Sequence, residues 1–240
     1  MHRFFATTLD NDYFVLTVDD VKQIKQVLRL RDNEQIICIY NAEHYLTTIK
    51  VVLPQNYLFK LTKKLKQNHE SPIKIRLIAG LIRNTKWDYL LQKATELGVN
   101  EIIPFQFKRC VVQLKGENNV KKIERWTKIC KEASEQAYRN QIPLIKDVES
   151  DLKVFQKYQS DVNLVCYEKA APNYSQLKNF LHQDFTRITI VVGPEGGFSE
   201  EEIAVLTTYG YHSVSLGQRI LRAETAPLAI LTMIMYEKEL

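Results

Sequence analysis

Two glycine-bearing segments concentrate the residues that could do chemistry. The first runs Ile188-Thr189-Ile190-Val191-Val192-Gly193-Pro194-Glu195-Gly196-Gly197-Phe198-Ser199-Glu200-Glu201-Glu202-Ile203. Its apolar run reads as a buried strand, and Ser199 with Glu202 three residues on reads as a capping box that starts a helix. Between them the glycines leave the main chain bare at a strand end, where open α/β sheets bind ligands. Charge narrows the ligand. A phosphate cradle would carry Gly-Lys-Ser or Gly-x-Gly-x-x-Gly and present positive charge, whereas this loop carries Glu195 and the helix opens on Glu200, Glu201 and Glu202. A polyphosphate would be repelled. A ligand with an adenosine-like body, no phosphate and its own positive charge, such as S-adenosylmethionine, fits better; a tight turn with no ligand is the alternative for this loop taken alone.

The second segment, Ser215-Leu216-Gly217-Gln218-Arg219-Ile220-Leu221-Arg222-Ala223-Glu224-Thr225-Ala226-Pro227, has the same features. A glycine follows a strand, polar residues follow it, and a helix begins with Pro227 in its first turn, where proline is tolerated. The helix must bury Leu228, Ile230, Leu231 and Ile234, which would hold Arg222 and Glu224 near the sheet edge. The bland reading of those two is an ion pair with each other. Two such loops would line one cleft. The histidines show no ligand spacing and the four cysteines form no Cys-x-x-Cys pair, so neither a metal site nor a disulfide framework is expected. No Gly-x-Ser-x-Gly elbow supports a hydrolase.

The elements that must position these loops alternate. Strands are expected at Ile73 to Ala79, Glu101 to Phe105, Asn163 to Tyr167, Arg187 to Val192 and near Val214. Helices are expected at Lys86 to Leu97 with Gly98 as its stop, at Val120 to Tyr138, from Glu200 and from Ala226. That pattern predicts a mostly parallel sheet covered on both faces. Residues 1–70 differ: short extended runs at Tyr13 to Val18, Gln35 to Tyr40 and Tyr45 to Val52 suggest a small β-barrel. A helix over Asp19 to Leu30, capped by Asp19 or Asp20, would bury Val21, Ile24, Val27 and Leu28. The polar stretch Gln67 to Pro72 marks a boundary, giving domains of 1–70 and 73–240.

With 240 residues, 45% hydrophobic and 25% charged, the composition excludes disordered and collagen-like classes. The longest oily stretch, Pro227 to Tyr236, is about half of the roughly 20 residues that cross a bilayer. Asp10 and Asp12 interrupt the start before a signal-peptide core could form, so a cytoplasmic location without a membrane partner is expected. The net charge of +5, with basic clusters at Lys60 to Lys66 and Lys121 to Arg139, leans mildly toward a polyanionic partner.

Taken together, Gly193-Pro194-Glu195-Gly196-Gly197-Phe198-Ser199 and Leu216-Gly217-x-Arg219-Ile220-Leu221-Arg222-x-Glu224-Thr225-Ala226 resemble the ribosomal RNA small-subunit methyltransferase E family, of the SPOUT class. The resemblance extends through Lys131-Glu132-Ala133-x-Glu135-Gln136 with Arg139, Thr95-Glu96-Leu97-Gly98 and the opening His2-Arg3-Phe4-Phe5. Ala137 and Tyr138 depart from it, standing where the family often has Ser and Gly, and the turn Arg31-Asp32-Asn33-Glu34 lacks the family's usual glycine.

The resemblance implies a SPOUT α/β domain with a C-terminal deep trefoil knot, preceded by a small PUA-like β-barrel that binds RNA, in a homodimer. It implies methylation of the N3 atom of a uridine in 16S ribosomal RNA, naked or in the small subunit, with S-adenosylmethionine as cofactor and no metal. The cofactor would be held by Tyr167 and Glu168, by Gly193, Pro194, Glu195, Gly196 and Gly197, and by Leu216, Gly217, Ile220, Leu221, Arg222, Thr225 and Ala226. A cation beside the uracil would favour its anion, with Arg222 the first candidate and Arg139 the second or a phosphate clamp. Glu96, Glu195 and Glu224 are candidate bases. Expected RNA contacts are Arg3, Lys25, Arg29 and Arg31 in the first domain and Arg83, Lys86, Arg109 and Arg139 in the second. The rival readings are a ribose 2′-O-methyltransferase of the same class acting on tRNA or rRNA, and a catalytically silent RNA-binding module.

Overall fold

The computed structural model describes residues 1–53, 56–114, 118–170 and 174–240. The chain forms two units, one of Met1–Glu70 with Ser134–Gln141, the other of Ser71–Ala133 with Ile142–Leu240.

The first unit is a six-stranded sheet. In chain order it contains β1 (Arg3–Phe5), β2 (Thr8–Asp10), β3 (Tyr13–Val15), helix α1 (Val18–Lys22), β4 (Gln35–Tyr40), β5 (Glu43–Leu53) and β6 (Asn56–Leu65). The strand order is β1-β4-β5-β6-β3-β2, with β1 parallel to β4 and every other pair antiparallel. Phe4, Phe14, Ile24, Ile36, Ile49 and Phe59 fill its core. Strand β6 is not anticipated from sequence. Its Lys60 and Lys63 are exposed while Phe59 is buried, the mark of a half-solvated strand.

The expected helix also differs. Thr17, not Asp19 or Asp20, is the N-cap: its hydroxyl accepts from Asp20 N at 3.2 Å, and the Asp20 carboxylate accepts from Thr17 N at 3.3 Å. After Lys22 the winding widens to a π-helical segment, Gln23–Leu28. That change of period turns Val27 out to solvent, 72% exposed, instead of onto the expected apolar face.

The segment Ser134–Gln141 belongs to this unit through its hydrogen bonds. Glu135 accepts from Phe5 N at 3.1 Å, and the Asn140 amide accepts from His69 N at 2.9 Å while donating to the Ala42 carbonyl at 2.8 Å. Asn33, in the turn expected to carry a glycine, and Tyr138 have φ of 67° and 63°, the left-handed region that favours glycine.

The second unit alternates as expected: β7 (Lys74–Gly80), α2 (Asn84–Glu96), β8 (Glu101–Phe105), α3 (Asn118–Gln136), β9 (Leu144–Ile145), β10 (Val162–Cys166), α4 (Tyr174–His182), β11 (Arg187–Val192), α5 (Glu200–Thr208), β12 (His212–Val214) and α6 (Ala226–Glu239). All pairings in its six-stranded sheet are parallel, in the order β12-β10-β11-β7-β8-β9. Consecutive residues of β8 and β11 are buried, so both faces of the sheet are covered. Among the described residues, no helix is long and apolar enough to cross a membrane.

Candidate active site at the carboxyl ends of three strands

The loops that follow β10, β11 and β12 meet around one cavity of about 540 Å³. Its place is that of a ligand crevice in an open parallel sheet, outside the carboxyl ends of the strands, and its size lies within the range of roughly 300–1,000 Å³ typical of small-molecule sites. Local sequence sets up each wall. Ser199 accepts from Glu202 N at 3.2 Å and Glu202 accepts from Ser199 N at 2.7 Å, so the predicted capping box starts α5 and closes the Gly193–Gly197 loop. Gly197 takes φ of 65° in that loop. At the end of β7, a Cβ on Gly80 would fall 2.4 Å from Pro194 N, so only glycine lets the two strand ends approach this closely.

The cavity walls carry both signs of charge: Glu168, Glu195 and Glu224 against Lys86, Arg219 and Arg222. Glu224 does not pair with Arg222. Its carboxylate accepts from Lys86 Nζ at 3.0 and 3.1 Å. Burial pushes the Glu224 carboxyl up, but its backbone N–H, Lys86 and Arg222 pull it down further, leaving it below the usual carboxylate range. It is therefore an anion at neutral pH and a weak base. The Arg222 guanidinium makes no ion pair among the described residues, while the Arg222 carbonyl accepts from Thr225 N and Ala226 N at 2.8 and 2.9 Å and fixes the turn into α6.

Every residue expected to hold the cofactor lines this cavity except Thr225. Thr225 sits at the cap position of α6 without a side-chain capping bond. The structure adds Cys166, Phe198, Ser215, Gln218, Arg219 and Ala223 to the lining. These sit between motif residues and carried no charge or glycine signal, Arg219 excepted; burial pushes the Cys166 thiol up to about 12, so it is no nucleophile. Lys86, expected as an RNA contact, lines the cavity. Arg83 and Arg109 touch its rim: Arg83 N donates to the Glu195 carboxylate and Arg109 Nη1 to the Gly196 carbonyl, both at 3.3 Å.

Arg139 is placed differently from the expectation. Its guanidinium belongs to the first unit, is buried with the residue 2% exposed, and donates from Nε and Nη2 to the Glu70 carboxylate at 3.2 and 2.6 Å. A guanidinium committed in this way anchors the chain around it to Glu70. Glu96 pairs with Lys93 at 2.7 Å and does not line the cavity. In the first unit Arg29 and Arg31 are exposed, Lys25 lies 4.6 Å from the Tyr57 ring, and Arg3 stacks on Tyr138. No group of three or more His, Cys, Asp or Glu side chains able to hold a metal occurs among the described residues.

A parallel sheet with glycine loops and a mixed-charge crevice at three strand ends is the architecture of a small-molecule site, and residues 69–235 match the RNA methyltransferase domain family. The chain belongs to that family of enzymes. It is 38% identical over 237 residues to Ribosomal RNA small subunit methyltransferase E of Bacillus subtilis, covering 95% of this chain and 91% of that one. The protein of the same name from Mesomycoplasma hyopneumoniae is 35% identical, over 97% of this chain and 98% of its own. Among solved structures, Ribosomal RNA small subunit methyltransferase E from Neisseria gonorrhoeae bound to S-adenosyl methionine superposes with a TM-score of 0.87 at 29% identity, over 98% and 97% of the two chains. A Legionella pneumophila protein in complex with the cofactor SAM gives 0.88 at 27% identity, with the same coverage.

Proposed function

We propose that the protein methylates the N3 atom of a uridine in 16S ribosomal RNA of the small subunit, with S-adenosylmethionine as methyl donor. The observation that supports this reading is the cavity in which the loops after three strands, two of them bearing glycine, meet carboxylates and an arginine that makes no ion pair among the described residues. The residues present fit the cofactor. Loops with little side-chain bulk admit its adenosine body, and Glu168, Glu195 and Glu224 suit a ligand that carries positive charge and no phosphate.

The cofactor supplies a methyl carbon activated by sulfonium. The chain must do the rest. A uracil N3 is a poor nucleophile while protonated, so the site has to favour the anion and align it. Arg222 is the residue assigned this task in our reading: it lines the cavity, makes no ion pair among the described residues, and can donate to the uracil oxygens as negative charge develops. Glu224, ionised and held by Lys86, orients that wall and does not serve as the base. Arg3, Lys25, Arg29 and Arg31 of the first unit, with Arg83 and Arg109 beside the cavity, hold the RNA backbone.

Three architectural features accompany this reading. The strand order, with β11 inserted between β10 and β7 before the chain leaves for the β12 edge, supports a C-terminal trefoil knot. The mixed sheet of the first unit supports a PUA-like RNA-binding barrel. Met233 and Tyr236, left exposed on α6, support a homodimer that covers them. A cytoplasmic location follows from the ribosomal substrate.

The test is incubation with labelled S-adenosylmethionine and small subunits that lack the modification, followed by nucleoside mass spectrometry. Label on the uracil ring at N3 is expected; label on the ribose would replace this reading by 2′-O-methylation. Arg222→Ala should lower kcat roughly 10²–10³-fold with the fold intact, the usual consequence of losing one preorganised donor. Near-normal turnover would remove Arg222 from the mechanism.

A further inference from the structure

We propose that the Tyr138 ring, backed by the Arg3 guanidinium, is a stacking platform for an unpaired base of the RNA substrate, a contact made by the first unit. This rests on the reading that the protein acts on RNA. Tyr138 has φ of 63°, a conformation that is strained for a residue other than glycine. Elsewhere in the chain such values fall mostly on Asn and Asp, which tolerate them, on Ala42 beside Asn41, and on Arg29 where the π-helical segment ends. A bulky aromatic is the outlier. Burial does not repay its strain, because Tyr138 is 45% exposed.

The ring is held stiffly. The next residue, Arg139, is locked to Glu70, and the Asn140 side chain donates to the carbonyls of Ala42 and Gln67 at 2.8 and 3.1 Å. One face is taken by Arg3, whose Cζ lies 3.3 Å from the ring centroid. The His69 ring flanks it as well, with centroids 6.2 Å apart and planes at 59°, and Tyr138 keeps 45% of its surface exposed. Arg3 Nη1 donates to the Met1 carbonyl at 3.2 Å, its Nε has no hydrogen-bond partner, and it has no ion pair among the described residues. A flat, half-exposed ring on a clamped backbone, with an uncompensated cation behind it, matches a nucleobase attached to a phosphate. Every base has a π face to lay on such a ring, so stacking there needs no particular sequence.

Tyr138→Gly separates this role from a structural one, since it deletes the ring and relieves the backbone. The expected result is undiminished thermal stability, unchanged S-adenosylmethionine affinity by calorimetry, and a KM for unmodified small subunits raised roughly tenfold at constant kcat, which corresponds to about 1.4 kcal/mol. Tyr138→Phe should retain the wild-type KM. Ultraviolet crosslinking of wild-type protein to the subunit should place an RNA adduct on the tryptic peptide containing Tyr138. A wild-type KM in Tyr138→Gly, or a variant that melts lower without a change in KM at a temperature where it is folded, overturns the platform and leaves the enzymatic reading standing. Wild-type protein that neither binds nor methylates small subunits overturns both.

Discussion

Glu224 shows how one side chain's partner decides its chemistry. In the sequence it stands two residues from Arg222, and a pair between them is the bland alternative to a role in the cleft. The structure gives it Lys86, from α2, and leaves the arginine on the cavity wall. Because the carboxyl is held below its ordinary value of 4.5, whatever stability the pair contributes is present above that value and is lost as pH falls through the lower folded value. Between pH 6 and 8 this pair should leave cofactor affinity flat. The same negative charge should discriminate between methyl donor and demethylated product, which differ by the sulfonium charge. Glu224→Gln should weaken S-adenosylmethionine roughly 3–10-fold and S-adenosylhomocysteine less, given the modest size of partly solvated charge interactions. Equal weakening of both ligands in calorimetry would show that Glu224 acts only on the shape of the loop.

Strand ends and helix starts carry the site at the next scale up. The capping box of α5 and the close approach at Gly80 fix where the Gly193–Gly197 loop can go. Ser199→Ala leaves Glu202 N without its acceptor and should cost about 1 kcal/mol of stability. Gly80→Ala should do more, because its Cβ would meet backbone and the Pro194 ring at 2.4–2.6 Å, neither of which can rotate aside. For Gly80→Ala the expected outcome is a lowered melting temperature together with weaker cofactor binding; unaltered binding would show that the loop tolerates displacement. These devices were legible because they are local: Ser199-x-x-Glu202, the strands Glu101–Phe105 and Arg187–Val192, and Gly98 after α2 all match their expected places. Strand β9, two residues long, and the lysine-bearing β6 were not, since too few residues or one solvated face leaves no periodicity to detect.

For the whole molecule, the decisive interaction joins residues 69 apart in sequence. Glu70 and Arg139 form a buried pair that ties Ser134–Gln141 into the first unit, with the pair's oxygens also accepting from Asn140 N at 2.8 Å. Glu70→Gln removes the carboxylate charge that the buried Arg139 guanidinium faces and should cost about 3–5 kcal/mol. It should leave cofactor affinity unchanged, because every residue lining the cavity lies in the second unit. Calorimetric melting and titration of that variant check both halves of the expectation; an unchanged melting curve would show the pair to be dispensable. Sequence placed one cut near residue 70 and named no partner for Arg139, since a lone arginine in a basic segment gives no sign of the carboxylate it will meet.

By itself the sequence determined the alternation of elements in the second unit, the two loops that line the cleft, and the sign of the charge at their helix start. Those properties depend on neighbours within a few residues, through helix and strand periodicity, capping and the conformational freedom of glycine. Only the tertiary structure decided that Lys86 rather than Arg222 holds Glu224, that Arg139 is buried against Glu70, and that β11 lies between β10 and β7. Ion-pair choice and strand order depend on which distant segments are brought within a few ångströms, and no local spacing records that.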